Sequence, residues 1–427
     1  MSGHIVFAAC LLPVVLSAAP INVHVSWNGR DDAASTMVIA WQTLNNTTSK
    51  VEYGLSTNDS DTVTAAPSYS TPCQRYNHAV KLTNLTANTQ YHYRCGNETD
   101  GWSAASTFTT GLPIGSTDDI LFVAAGDTRI DTPKIGRVTN VKNRIAARNP
   151  RLLFFSGDIP REGGYQSADD YADSNWDMWF EAYSNFVDHI PFFSSTGNHD
   201  LYGGTSMFTD QFHWPTNAQG NDRWYSVNFG NAHFIALEIT GSTSDAPVGS
   251  DQYNWLQTDL AQASSDTNIL WIFVSFHAPP YCASYHSRNV NVLSSICPLF
   301  DQYGVDLVFN GHNHIYERTK KMRNRVSQDE IMEAGPSYNS SVEGVVYIVT
   351  GRAGANSHST NPSAWTAFTD NPLHYLVLDI DNTTGVLYGR AYDIDDTLFD
   401  TFTITKNDGP DVFPPRAPVG IRILPGP

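Results

Sequence analysis

Short apolar runs separated by turn residues fill the first hundred positions. Met37-Val38-Ile39-Ala40-Trp41, Val51-Glu52-Tyr53-Gly54 and residues 90–94 each read as a short strand. Their spacing predicts an antiparallel sandwich over 20–112, with Trp41, Tyr91 and Tyr93 in its core. After Gly111-Leu112-Pro113 the pattern changes. Residues 120–125 make an apolar strand, Thr132 and Pro133 suit an N-cap and first helical position, and Ile135, Val138, Val141 and Ile145 follow at helical spacing. Further strands are expected at 152–156, 192–195, 233–238, 270–276 and 305–309, with helices at 176–187, 252–263 and 290–302. This alternation predicts an α/β domain over 113–406, two packed mixed sheets flanked by helices. Residues 345–404 read mostly as strand and are expected to add a further sheet; 407–427, rich in Pro and Gly, read as an extended tail.

The amino terminus suggests a compartment. Residues 5–19 are apolar and end in Ser17-Ala18-Ala19, too short for a membrane span, so residues 1–19 are read as a signal peptide even though Met1 to His4 hold no Lys or Arg. The mature chain is expected to be secreted. It keeps Cys73, Cys95, Cys282 and Cys297, expected to pair as Cys73–Cys95 and Cys282–Cys297, although sequence permits other pairings. Sequons at Asn45, Asn46, Asn58, Asn84, Asn97, Asn339 and Asn382 fit a glycoprotein.

A formal charge of −18 repels nucleic acid and anionic membranes, so neither is an expected partner; the sequence leaves the oligomeric state open. An anionic substrate would be repelled too, so a site for one needs its own positive charge, most simply metal ions.

The apolar strands show where such ions belong. Each of five runs into a small turn with a metal-competent side chain: Gly126-Asp127, Gly157-Asp158, Gly197-Asn198-His199-Asp200, His277, and Gly311-His312-Asn313-His314. Sites in open α/β sheets form at the carboxyl ends of strands, so these turns are expected to meet in one crevice. One such fragment alone is ordinary, since Asp is common in turns. The ordered series is the signal. Carboxylate, amide and imidazole donors without cysteine suit one or two divalent or trivalent transition ions: zinc, manganese or iron. A two-metal centre, its ions about 3.5–4 Å apart, clamps a phosphoryl group and activates water.

With these blocks the chain resembles the purple acid phosphatases of the calcineurin-like metallophosphoesterase superfamily, over nearly all of its mature length. The resemblance implies a fibronectin-III-like sandwich followed by a metallophosphoesterase domain. It implies that Asp127 and His314 bind a first metal, Asp158 bridges, and Asn198, His277 and His312 bind a second. It further implies that His199 contacts the phosphate and protonates the leaving oxygen, that Asp200 orients His199, and that His286 contacts substrate. Purple members carry a ligand tyrosine three residues after the bridging aspartate; here that position is Arg161. Other superfamily members use a histidine two residues after the first aspartate; here that position is Arg129. Neither guanidinium can ligate a metal. The first site therefore holds an ion with more water, or is completed by Tyr165, or is filled by Arg129 or Arg161 acting as a phosphate clamp.

The expected activity is that of a secreted, metal-dependent phosphatase that hydrolyses small phosphate monoesters by attack of a metal-bound hydroxide, with His199 assisting and Arg161 or His286 stabilising charge. The alternatives are a phosphodiesterase on the same centre and an anion-binding protein descended from an enzyme. The loops 163–171 and 281–289 are expected to shape the pocket.

Overall fold

Strands of the first domain such as Ser49–Gly54 alternate in burial, whereas the central strands of the second are buried along their whole length. The computed structural model describes residues 19–57, 61–160, 173–202, 204–242, 245–325, 328–333, 337–339 and 344–406. Residues 1–18, the sequon at Asn58, Arg161, Tyr165, the loop 163–171 and the tail 407–427 lie outside the described residues.

The first domain is a sandwich. One sheet runs Ile21–Ser26, Met37–Thr43, Arg75–Leu82, Ser68–Ser70; the other runs Asp61–Ala65, Ser49–Gly54, Gln90–Asn97, Gly101–Trp102, with Ser106–Thr109 also on Gln90–Asn97. Trp41, Tyr91 and Tyr93 are buried in it. The domain does not stand apart. Arg75 holds Asp177 through two hydrogen bonds of 2.7 and 2.8 Å, the Tyr93 hydroxyl donates to Asp188 O (2.5 Å), and Trp27 packs on Phe193 at 5.0 Å. One apolar core runs through both domains.

The second domain packs two seven-stranded sheets face to face. One has the order Phe192–Ser194, Leu152–Phe155, Ile120–Ala125, His374–Asp381, Val386–Asp393, Leu398–Thr405, Ser337–Asn339. The other has Tyr225–Phe229, Ala232–Ala236, Trp271–Ser275, Leu307–Asn310, Val346–Thr350, Tyr316–Thr319, Thr366–Asp370. Both mix parallel and antiparallel pairs. Edge-to-face rings join the layers: Phe122 and Phe154 on one sheet meet Phe234 and Phe309 on the other at 5.1–6.2 Å.

Several expectations need correction. The strands of 345–404 form no further sheet; they divide between these two. The helix expected at 290–302 is two, Val290–Ser295 and Cys297–Tyr303. Pro298 falls in the first turn of the second, where its missing N–H costs nothing, whereas inside one long helix it would break the ladder. The helix expected from Thr132 and Pro133 spans Ile135–Ala147, and Asp131, not Thr132, caps the preceding turn by accepting from Lys134 N (3.1 Å).

The expected pairs Cys73–Cys95 and Cys282–Cys297 are not formed. Cys73 faces Gln211 (3.2 Å to Nε2) and Met207, and Cys95 lies in the opposite sheet, its thiol pushed up to about 12 by burial. Cys282 sits beside Glu317 and Cys297 beside Tyr347. The sequon at Asn97 is also structural: its buried amide donates to Thr47 Oγ1 (3.0 Å) and Thr48 O (3.1 Å) and accepts from Thr99 N and Asp100 N (2.8 and 2.9 Å).

Between the domains, buried His24 donates from Nδ1 to Asn22 O (2.8 Å) and accepts at Nε2 from His213 N (3.0 Å). That arrangement needs a neutral ring, and burial lowers its pKa from 6.5 to about 4. The unfolded chain therefore takes up the proton first. Stability is complete above pH 6.5 and declines as pH falls to 4, by an amount on the order of 3 kcal/mol for this ring. Thermal melts across that window should show a shallower decline for His24→Gln than for the wild type; equal slopes would remove His24 from the acid response.

Candidate metal centre

The strands deliver the polar turns to one place. Ile120–Ala125, Leu152–Phe155 and Phe192–Ser194 are mutually parallel, so Asp127, Asp158 and Asn198-His199-Asp200 leave the first sheet at the same end. Trp271–Ser275 and Leu307–Asn310 are parallel in the second sheet and release His277, His312 and His314. The seam between the layers becomes a crevice.

The turns are tight. Asp127, Arg129, Asp158 and His312 all sit in the left-handed region, with φ of 55°, 46°, 56° and 66°. Such strain clusters where the surrounding structure must aim a side chain. Two glycines let the turns touch: a Cβ on Gly197 would lie 2.3 Å from both Asp158 N and Oδ1, and one on Gly311 would lie 2.2 Å from Asp127 Oδ2.

The side chains come close together at this seam. Asn198 Oδ1 lies 3.0 Å from His277 Nε2 and 3.0 Å from His312 Nδ1. His277 Nε2 is 3.2 Å from Asp158 Oδ2. Both Asp127 oxygens accept from His312 N, and Asp127 Oδ1 lies 3.6 Å from His314 Nε2. One donor atom from each of Asp127, Asp158 and His277 falls within 4.8 Å of the others. The residues fit a transition ion. His277 Nδ1 donates to Ser156 O and His314 Nδ1 to Asn356 O, each at 2.8 Å, which fixes both tautomers and leaves Nε2 toward the centre.

Burial and neighbouring charge set the protonation states. Burial favours neutral Asp158, but His277 and then Arg129 hold its carboxyl well below the usual range. Burial, with Asp158 nearby, raises Asp127 well above that range. Burial lowers His277, but Asp158 and Asp127 outweigh it and bring the ring to about 9. His312 and His314 are pushed to about 2, by burial first, then by His277 and His358 respectively. Neutral imidazole is the ligand form.

The remaining residues arrange themselves around this core. His199 N donates to Asp158 Oδ1 (2.8 Å), and its ring packs edge-on against Tyr202. Asp200 accepts from Asp158 N, Ile159 N and Gly197 N at 2.9, 2.9 and 2.6 Å, so its carboxylate ties the Asp158 and Gly197 turns together. His286 is half-buried and stacks on His312 at 4.1 Å. His358 was missed by sequence reasoning; it stacks on His314 at 3.9 Å and accepts at Nδ1 from His314 N (3.0 Å). Its only local signal is that Val346–Thr350 runs into Gly351 and the loop that carries it, seven residues further on. Arg129 points inward, and its Nη1 bonds Asp158 Oδ2.

Comparison with known proteins gives a consistent result. The family profile "Purple acid Phosphatase, N-terminal domain" matches residues 20–110, and "Calcineurin-like phosphoesterase" matches 120–316. Among curated proteins, "Acid phosphatase type 7" of Danio rerio is 27% identical, covering 95% of this chain and 96% of its own. The Homo sapiens protein of the same name is 27% identical, covering 89% of each. A purple acid phosphatase from yellow lupin (Lupinus luteus) seeds shares the fold at a TM-score of 0.73 and 19% identity, covering 91% of this chain and 75% of the other. Among the described residues, no helix is long and apolar enough to cross a membrane.

Proposed function

Because the chain belongs to the purple acid phosphatase group of calcineurin-like phosphoesterases, and is thus a metal-dependent phosphoric ester hydrolase, we propose that it hydrolyses phosphate monoesters, with His199 protonating the leaving oxygen. The observation that carries this reading is the convergence of Asp158, Asn198, His277 and His312 beside His199. Bound by those residues, a transition ion supplies Lewis-acid polarisation and water of lowered pKa. The chain does the rest. Asp158 accepts from the backbone N–H of His199 and so holds that residue beside the centre. The half-buried His286, stacked on His312, lines the same rim and meets the substrate's outer oxygens. We place this activity outside the cell on the strength of the apolar run 5–19.

The test is an assay of a chromogenic monoester and diester with zinc, manganese or iron, beside His199→Ala. The monoester should be the better substrate. His199→Ala should lower kcat by roughly 10²–10⁴-fold with metal content unchanged, the usual worth of a positioned general acid. A faster diester would reverse the substrate assignment, and no turnover with any metal would leave an anion-binding protein.

A further inference from the structure

The loop 281–289 is tied down on both sides of Tyr285. On one side, His286 N donates to Oδ1 of the buried Asn313 (2.8 Å), and Asn313 Nδ2 donates back to His286 O (3.2 Å). Asn313 lies between His312 and His314, so the loop is fastened to the turn that carries them. On the other side, Ser284 Oγ donates to Ser359 O (2.6 Å) and Ala283 O accepts from Asn361 N (3.0 Å). The Tyr285 ring meets His286 edge-on and His358 at a tilt of 37°, both at 4.8 Å. Those two imidazoles stack in turn on His312 (4.1 Å) and His314 (3.9 Å). Yet Tyr285 is 71% exposed. It is a large aromatic face left in water, on a backbone that its neighbours hold still, at the rim of the crevice.

We propose that Tyr285 is the leaving-group platform of this site: its exposed face stacks the planar aromatic group of a nucleoside or aryl monophosphate whose phosphate lies among the histidines beneath. The order of the rings supports this. His312 and His314 belong to the centre, His286 and His358 lie one ring outward, and Tyr285 lies one ring beyond them. With the phosphate at the centre, the rest of the ester projects outward along that series. Tyrosine suits the task, because it offers a broad π-face on only two side-chain torsions and loses little freedom when a ring settles on it. Stacking of this kind tolerates many substituents, since every base or aryl ring has a π-face. A sugar or polyol would use the tyrosine hydroxyl instead, and would lose it in Tyr285→Phe.

This inference rests on the reading of the centre as a phosphate-ester hydrolase, and the experiment separates the two. The metal-loaded full chain is assayed on adenosine 5′-monophosphate, ribose 5-phosphate and phenyl phosphate. The first two share one leaving oxygen and differ by the base alone. Tyr285→Ala should raise KM for the nucleotide roughly tenfold with kcat nearly kept, the usual worth of a base on an aromatic side chain, and should change KM for ribose 5-phosphate by no more than about twofold. Tyr285→Phe should match wild type on the nucleotide. Phenyl phosphate following the nucleotide supports the whole aromatic class; following ribose 5-phosphate, it supports the nucleotide alone. Equal losses on the nucleotide and ribose 5-phosphate, as a packing role would give, overturn the platform and leave the hydrolase reading intact. So does an unchanged Tyr285→Ala, or a Tyr285→Phe as impaired as Tyr285→Ala. No turnover of any of the three esters by wild type overturns both.

Discussion

Asp158→Asn should lower kcat for a monoester by on the order of 10³-fold or more and strip the centre of metal. Asparagine keeps the shape and an oxygen that can still accept from His199 N, so the turn survives. What it loses is the anion between His277 and Arg129. Burial then returns His277 toward its neutral form, and the buried Arg129 guanidinium loses this carboxylate, a loss that typically costs about 3–5 kcal/mol. Removing the carboxylate also removes a metal ligand, and the several kcal/mol of transition-state stabilisation that the ion contributes goes with it. Steady-state kinetics with metal analysis on the folded variant checks this. Near-normal turnover with metal retained would take Asp158 out of the centre.

Asp200→Ala should damage the fold more than the chemistry of any single step. Its carboxylate accepts three backbone N–H groups from the Asp158 and Gly197 turns, and alanine leaves all three buried without a partner. Each orphaned group costs about 1–3 kcal/mol, so a total near 5 kcal/mol and a fall in Tm on the order of 10 °C are expected. Asp200→Asn, with one acceptor oxygen left, should fall between alanine and wild type. His199→Ala should lower Tm by less than Asp200→Ala, since it leaves the acceptor of those three N–H groups in place. Calorimetry on the three variants makes the comparison. If His199→Ala melts as low as Asp200→Ala, the structural assignment of Asp200 is wrong. The resemblance implied that Asp200 orients His199; its hydrogen bonds to Asp158 N, Ile159 N and Gly197 N also tie two turns together. Burial, with Asp158 adjacent, brings its carboxyl to about 7, so those three N–H donors are what keep it useful as an acceptor at neutral pH.

Why the sequence showed so much of the centre is a matter of local grammar. An apolar run, a glycine and a ligand-type side chain are all read within a few residues at Asp127, Asp158, Asn198 and His312, and His277 follows its apolar run directly. What stayed hidden depends on pairing across long distances. Arg129 could be seen to replace a histidine, but only the fold shows its guanidinium on Asp158. His358 carried a readable glycine signal, but its stacking on His314 joins loops that are far apart in the chain. Sheet membership was hidden for the same reason. Strand character in 345–404 was legible, yet the partner of Ile120–Ala125 is His374–Asp381, a pairing no local pattern announces. Tyr225–Phe229 was missed although Gly230-Asn231 marks its two-residue hairpin with Ala232–Ala236.

One property of the crevice reaches beyond chemistry. Asp127, Asp158 and Asn198 belong to one layer and His277, His312 and His314 to the other, and the layers meet through edge-to-face rings and through His277 Nδ1 on Ser156 O and His312 N on Asp127. An ion gripped from both sides is therefore a rivet through two plates. Chelation would remove that rivet and leave the walls joined by the hydrogen bonds and ring contacts alone.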